Sequence, residues 1–211
     1  TTMMVGGIAA LLLQMLHPAV LAGVWDHSNF RGDMLGRLRR TARFIALTTY
    51  GSRGEAEAAI AKVRAIHGHV KGTLPGGETY IASDPELLAW VHATESVSFL
   101  DAWIRYAEPH MSLADQDRYF AEVAVVARGL GVTEVPTTRA GIEAFIDGAR
   151  PRLGAHNRTR EVANLLLQRS ARGAEALPFE LIRRAAVDLL PAWARRMHGL
   201  RASGLSRPLV G

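Results

Sequence analysis

A chain of 211 residues with 48% hydrophobic and 21% charged side chains fits one large domain with a real core, which excludes disorder as its dominant state. There is no cysteine, so disulfides, thiolate-ligated haem, covalently attached haem and iron–sulfur clusters are excluded, and His, Asp and Glu remain as the strong metal ligands. The net charge of +5 and the pI near 10.2 rest almost entirely on arginine, with Lys62 and Lys71 the only lysines; arginine's planar fork suits carboxylates and phosphates.

Met3 to Trp25 contains no Asp, Glu, Lys or Arg. That length could span a bilayer. Gln14, His17 and Pro18 interrupt it, and polar groups in lipid are costly. It reads as the buried central helix of a bundle, bent at Pro18 and helical again to Val24. No transmembrane span is expected, and a cytoplasmic location is. Residues 26–33 read as a loop with capping residues. Asp33 then caps a helix from Met34 to Tyr50, which Gly51 ends. Leu35, Leu38, Ala42, Ile45 and Thr49 form its apolar stripe. Arg37, Thr41, Phe44 and Thr48 form the adjacent one. For Arg37 and Thr41, a solvated basic edge and a functional pair are equally supported.

Glu55 to Lys71 is the next helix, with Ile60, Val63, Ile66 and Val70 on one face. His67 falls on the same stripe. A buried imidazole without a partner costs roughly 1–3 kcal/mol, so it needs a carbonyl, a carboxylate or a metal. A hydrogen-bonded core histidine is the plainer reading. Pro75, Gly76 and Gly77 form a turn, and Thr79 to Ala82 a short extended segment. A helix follows from Pro85 to Tyr106. On it His92 lies one turn from Glu95, near enough to hydrogen-bond or share a metal, with Ser96 a further partner. Leu113 to Leu130 is helical, with Tyr119, Phe120, Val123, Val126 and Ala127 as core, and Gly131 caps it. Further helices are expected from Pro136 to Gly148, Arg158 to Gln168, Phe179 to Leu190 and Ala192 to His198. Strand signals are nearly absent. The expectation is an all-α fold: a single domain over residues 1–211, built as one multi-helix bundle with a pocket among its N-terminal helices.

No Gly-rich phosphate loop, HExxH zinc motif, GxSxG elbow or pair of ExxH motifs occurs. His17, His27, His67, His69 and His92 instead cluster before residue 100. Metal-capable residues concentrated in the most hydrophobic half of the chain suit a haem, which needs an apolar slot, one axial imidazole and cations at its edge. A zinc site needs three or four converging ligands. The rival reading is a non-haem metalloprotein using His92, Glu95 and a neighbouring histidine. A basic DNA-binding module ranks last, because no recognition helix is apparent, and no nucleic-acid partner is expected.

Several stretches resemble one family. They are LLLQMLHP (Leu11–Pro18), DHS (Asp26–Ser28), RLRRTARFI (Arg37–Ile45), IHGHVKG (Ile66–Gly72), YIASDPELLAWVHAT (Tyr80–Thr94) and LLPAWARRMHGL (Leu189–Leu200). In this order they resemble the MpaB-type oxygenases, whose catalytic domain is shared with latex-clearing (rubber) oxygenases. The resemblance implies an all-helical haem b protein in which His67 is the proximal iron ligand. It implies that Arg37, Arg40 and Thr41 belong to the Arg-x-x-basic-Thr segment over the haem, as catalytic or cofactor-holding residues. Rubber oxygenases carry Lys at the middle position; Arg40 stands there in this chain, and a guanidinium is a poor iron ligand. The resemblance also puts His92 and Thr94 in the pocket. It implies O₂ and a small hydrophobic substrate as partners, with oxidation or oxidative cleavage as the reaction. A haem-binding protein without oxygenase activity is the quieter alternative.

Overall fold

Helix α1 (Thr2–Gln14) is apolar on nearly every side, with Val5, Ala9, Ala10, Leu12 and Leu13 all buried. A helix without a polar face must be enclosed by others, and α1 packs most extensively on α5 (Pro85–Tyr106), then on α9 (Ala176–Leu189). Close approach is possible because Gly6 lies on α5. A Cβ there would sit 2.8 Å from Phe99 Cδ1 and 2.9 Å from the Ser98 carbonyl oxygen. The structure is a computed structural model that describes residues 2–167 and 176–204, apart from the side chains of Leu35, Ala176 and Leu177. Gln168, the expected end of the helix beginning at Arg158, lies outside the described residues.

The chain turns sharply at His17, and α2 (Pro18–His27) starts with proline at its first position. The angle between α1 and α2 is 106°, and no single helix among the described residues is long and apolar enough to cross a membrane. Helix α3 (Met34–Tyr50) is capped by Asp33, which accepts from the Gly36 amide at 2.8 Å. Helix α4 (Arg53–His67) begins with a capping box between Ser52 and Glu55. It ends at His67, four residues before the expected Lys71. Gly68 caps it, and Lys71–Thr73 becomes strand β1, paired antiparallel with β2 (Thr79–Ile81) in the register Lys71↔Ile81. The strand hidden at the end of the helix pattern was not expected. The Pro75-Gly76-Gly77 turn, with Gly77 at φ +96°, brings the two strands together.

Helix α6 (Leu113–Leu130) is stopped by Gly131 in the left-handed region at φ +117°. Next come α7 (Arg139–Ala149), α8 (Asn157–Leu167) and α10 (Ala192–His198). Two larger apolar cores and two smaller clusters result among the described residues. One core joins α1, α2, α8, α9 and α10 with Ala102 of α5, and the other joins α5, α6 and α7. The described residues are thus all-α apart from the β1–β2 pair.

Helices α3 and α4 differ from the rest. They pack on one another, and α4 also touches α6. None of their described side chains is fully buried. The hairpin they form stands away from both cores and leaves a space beneath it.

Candidate functional site

That space is a cavity of about 540 Å³, inside the 300–1,000 Å³ range of cofactor and ligand sites. Its floor is apolar: Leu11 from α1 and Met15 just beyond it, Val20 and Val24 from α2, and Leu88 and Val91 from α5. Helix α6 adds Val126, Ala127 and Leu130. The roof is the α3–α4 hairpin, through Arg37, Thr41 and Phe44 on one helix and Val63, Ile66 and His67 on the other.

Two corrections concern the hairpin's faces. The α4 stripe does not enter a protein core; Ile66 is 52% exposed, and Val63, His67 and Val70 line the cavity. On α3, Ala42 and Thr49 of the expected apolar stripe are exposed, while Arg37, Thr41, Phe44 and Thr48 are partly buried. The adjacent stripe is the one turned inward.

His67 sits at the last position of α4. Its Nδ1 is buried and has no hydrogen-bond partner. Desolvation lowers its pKa, so the ring is held neutral. His92 enters from α5, and its Nε2 is likewise buried and unpartnered. Burial, helped by the Arg128 charge, pushes its pKa down to about 4. Neither expected partner satisfies its ring: the Ser96 hydroxyl donates to the His92 main-chain carbonyl at 2.8 Å, and no bond joins His92 to Glu95 among the described residues. Neutral imidazoles with free ring nitrogens are the state in which histidine binds metals.

Arg37 is partly buried. Its Nη1 donates to the Ser28 hydroxyl at 3.0 Å, and it makes no ion pair among the described residues. Desolvation lowers its pKa, with Arg40 adding repulsion. A half-buried guanidinium without a carboxylate is suited to receiving an anion. Arg40 also lines the cavity, but it is more exposed and donates to Asp33 at 3.2 Å. Thr48 and Thr49 bond back to the carbonyls of Phe44 and Ile45, whereas Thr41 makes no such bond. Its hydroxyl is available to a ligand. His27 also lines the cavity, with Nε2 3.1 Å from the Lys71 carbonyl.

Thr94 is not a wall of this cavity. It is fully buried, and its hydroxyl donates to the Trp90 carbonyl at 2.7 Å inside α5. Its position on the far side of the helix from His92 removes it as a cofactor contact. His17, too, lies outside the lining, tilted against Trp90 at 6.1 Å. Sequence reasoning considered Glu95 as a hydrogen-bond partner of His92 or as a metal ligand. The structure sets it in the cavity wall, with no hydrogen bond or ion pair among the described residues and with burial pushing its carboxyl up to about 7. The signal available in sequence was an acid on the His92 face of a long, mostly apolar helix. Among the described residues no three His, Asp or Glu side chains gather as a metal-ligand set, so the non-haem reading lacks its third ligand.

The residues present suit a haem b. An unpartnered neutral imidazole enters from the roof, an unpaired guanidinium offers an anion contact, and the walls between are apolar. The family model described as "ER-bound oxygenase mpaB/B'/Rubber oxygenase, catalytic domain" matches residues 1–210. No curated protein matches the chain. No solved structure does either.

Proposed function

The chain belongs to the mpaB/rubber oxygenase catalytic-domain family, and we propose that it acts as a haem b-dependent oxygenase on a small hydrophobic organic substrate. The observation that carries this reading is His67. A neutral imidazole with an unpartnered buried nitrogen stands over an apolar cavity, on a hairpin with no fully buried side chain among those described.

In this reading His67 would hold the iron through its imidazole. Arg37 would pair with a haem propionate, in place of the carboxylate it lacks among the described residues. Ser28 holds the guanidinium in place through the 3.0 Å bond from Nη1. When bound, haem b supplies the redox iron at which O₂ is activated. The protein supplies a dry, oriented surround. Thr41 presents a hydroxyl with no hydrogen-bond partner among the described residues, and Arg40, anchored by Asp33, presents a cation at the cavity edge. His92, neutral at pH 7, donates or accepts a proton at Nε2. The apolar floor from α1, α2, α5 and α6 holds the substrate and excludes water.

The test is spectroscopic. Protein supplied with haem is expected to show a Soret band with one equivalent bound. His67→Ala is expected to lose most of that haem or to change its axial signature. Full loading with an unaltered spectrum in His67→Ala would remove His67 as ligand. A folded wild-type protein that takes up no haem would remove the oxygenase reading with it.

A further inference from the structure

Glu95 is an acid whose surroundings do not explain it. It lies at the middle of α5, one turn beyond His92, and the cavity wall beside it also carries Val91 on its own helix and Val126 on α6. Among the described residues no Arg, Lys or His forms an ion pair with it, and none hydrogen-bonds to its carboxyl. The cavity's cations, Arg37 and Arg40, belong to α3 on the opposite wall and engage Ser28 and Asp33 instead. On α6 the Tyr119 hydroxyl, which lies within range of the Glu95 charge, donates to the Ser96 carbonyl at 3.3 Å and is already engaged.

The Glu95 side chain is partly buried and borders the cavity, so a ligand that fills the cavity covers it, and a polar group buried without a partner costs roughly 1–3 kcal/mol. An isolated carboxylate costs far more, so burial favours the protonated form. A neutral carboxyl carries an O–H donor as well as acceptor oxygens. In an apolar wall such a donor discriminates sharply between ligands. A ligand that accepts the hydrogen bond satisfies the group, while a hydrocarbon of the same shape leaves it buried and unpaired.

Building on the oxygenase reading, we propose that Glu95 selects the substrate class: an apolar chain that carries one neutral hydrogen-bond acceptor, a ketone, aldehyde or alcohol oxygen, placed against the α5–α6 wall. A pure hydrocarbon is therefore a poor ligand. Glu95 acts here as a specificity-determining residue through direct contact with that oxygen. His67, Arg37 and the haem contacts do not enter the selection.

The test compares three ligands of equal chain length, 2-decanone, 1-decene and decylamine. Each is titrated calorimetrically at pH 6 into haem-loaded protein and into protein as purified. The ketone is expected to bind at least tenfold more tightly than the alkene. Glu95→Leu is expected to bring the two within twofold of each other, while its Soret band and haem content stay those of wild type. Glu95→Gln, which keeps an N–H donor of similar size, is expected to retain a ketone preference. Ketone and alkene binding within twofold in wild type would overturn the proposal. So would a tenfold preference that survives in Glu95→Leu, or tighter binding of the amine than of the ketone. If Glu95→Leu does not fold, the wild-type series and Glu95→Gln still decide. A ketone preference in protein that takes up no haem would sink the oxygenase reading and leave this one standing. Normal haem loading without a preference would do the reverse.

Discussion

Two side chains one turn apart on α5 respond to burial in opposite directions, and this sets a pH signature for the apoprotein. His92 has its pKa depressed from 6.5 to about 4. Its contribution to stability is complete above pH 6.5 and is lost as pH falls through about 4, because the unfolded chain binds the proton first. Glu95 has its pKa raised from 4.5 to about 7. Its contribution is complete below pH 4.5 and is lost as pH rises through about 7. The His92→Gln variant should therefore lose less melting temperature than wild type between pH 7 and pH 4. Glu95→Gln should lose less between pH 5 and pH 8. Melting curves followed by circular dichroism across this range check both, and coincident Tm–pH profiles for wild type and His92→Gln would contradict the burial of that ring.

At the scale of elements, the α3–α4 hairpin is the part of the molecule whose stability is incomplete. Its described side chains include none that is fully buried, while α1 buries 7 of its 13 residues and α5 buries 10 of its 22. Helices of this length are marginal in water without tertiary packing. The capping box at Ser52 and the Asp33 cap set where α4 and α3 begin, each worth about 1 kcal/mol. They do not substitute for a covered face. A ligand that fills the cavity gives the hairpin its missing core. Amide hydrogen exchange over residues 34–67 should accordingly slow by at least tenfold on haem loading, with little change in α1 or α5. Equal protection of the hairpin with and without haem would show that it needs no such cover.

Across the whole molecule, the crossing of α1 on α5 sets the spacing of the cavity floor. Gly6 allows that crossing, since an added Cβ would meet Phe99 Cα at 3.0 Å and the Ser98 carbonyl oxygen, which are main-chain atoms with little freedom to yield. Gly6→Ala should destabilise the protein by about 1–3 kcal/mol through overpacking. For a chain of this length that corresponds to a Tm lower by roughly 2–4 °C per kcal/mol. A melting temperature within 1 °C of wild type, measured by scanning calorimetry, would place the tight contact elsewhere. The same crossing explains the charge-free N-terminal stretch. Leu12, Leu13 and Leu16 fill a protein interior, and the 106° bend after Gln14 takes the chain around the cavity.

Local chemistry determined much of this in advance. The bounds of α3, α5, α6 and α10 follow from caps and breakers written beside them: Asp33 and Gly51, Asp84 with Pro85, Ser112 and Gly131, Pro191 and Gly199. The run of family-like words was legible as well, and the family match spans nearly the whole chain. Periodicity also showed that α3 and α4 each have a special face. It did not show what that face meets, because a 3.6-residue repeat reports a stripe and not its neighbour. Only the packing of six helices decided that Arg37 and Thr41 turn inward, that Thr94 turns away, and that β1 ends α4 at His67. Glu95 shows the division most clearly. Its helix and its face were readable from residue spacing, but the absence of any partner depends on what α3, α4 and α6 bring to the same space.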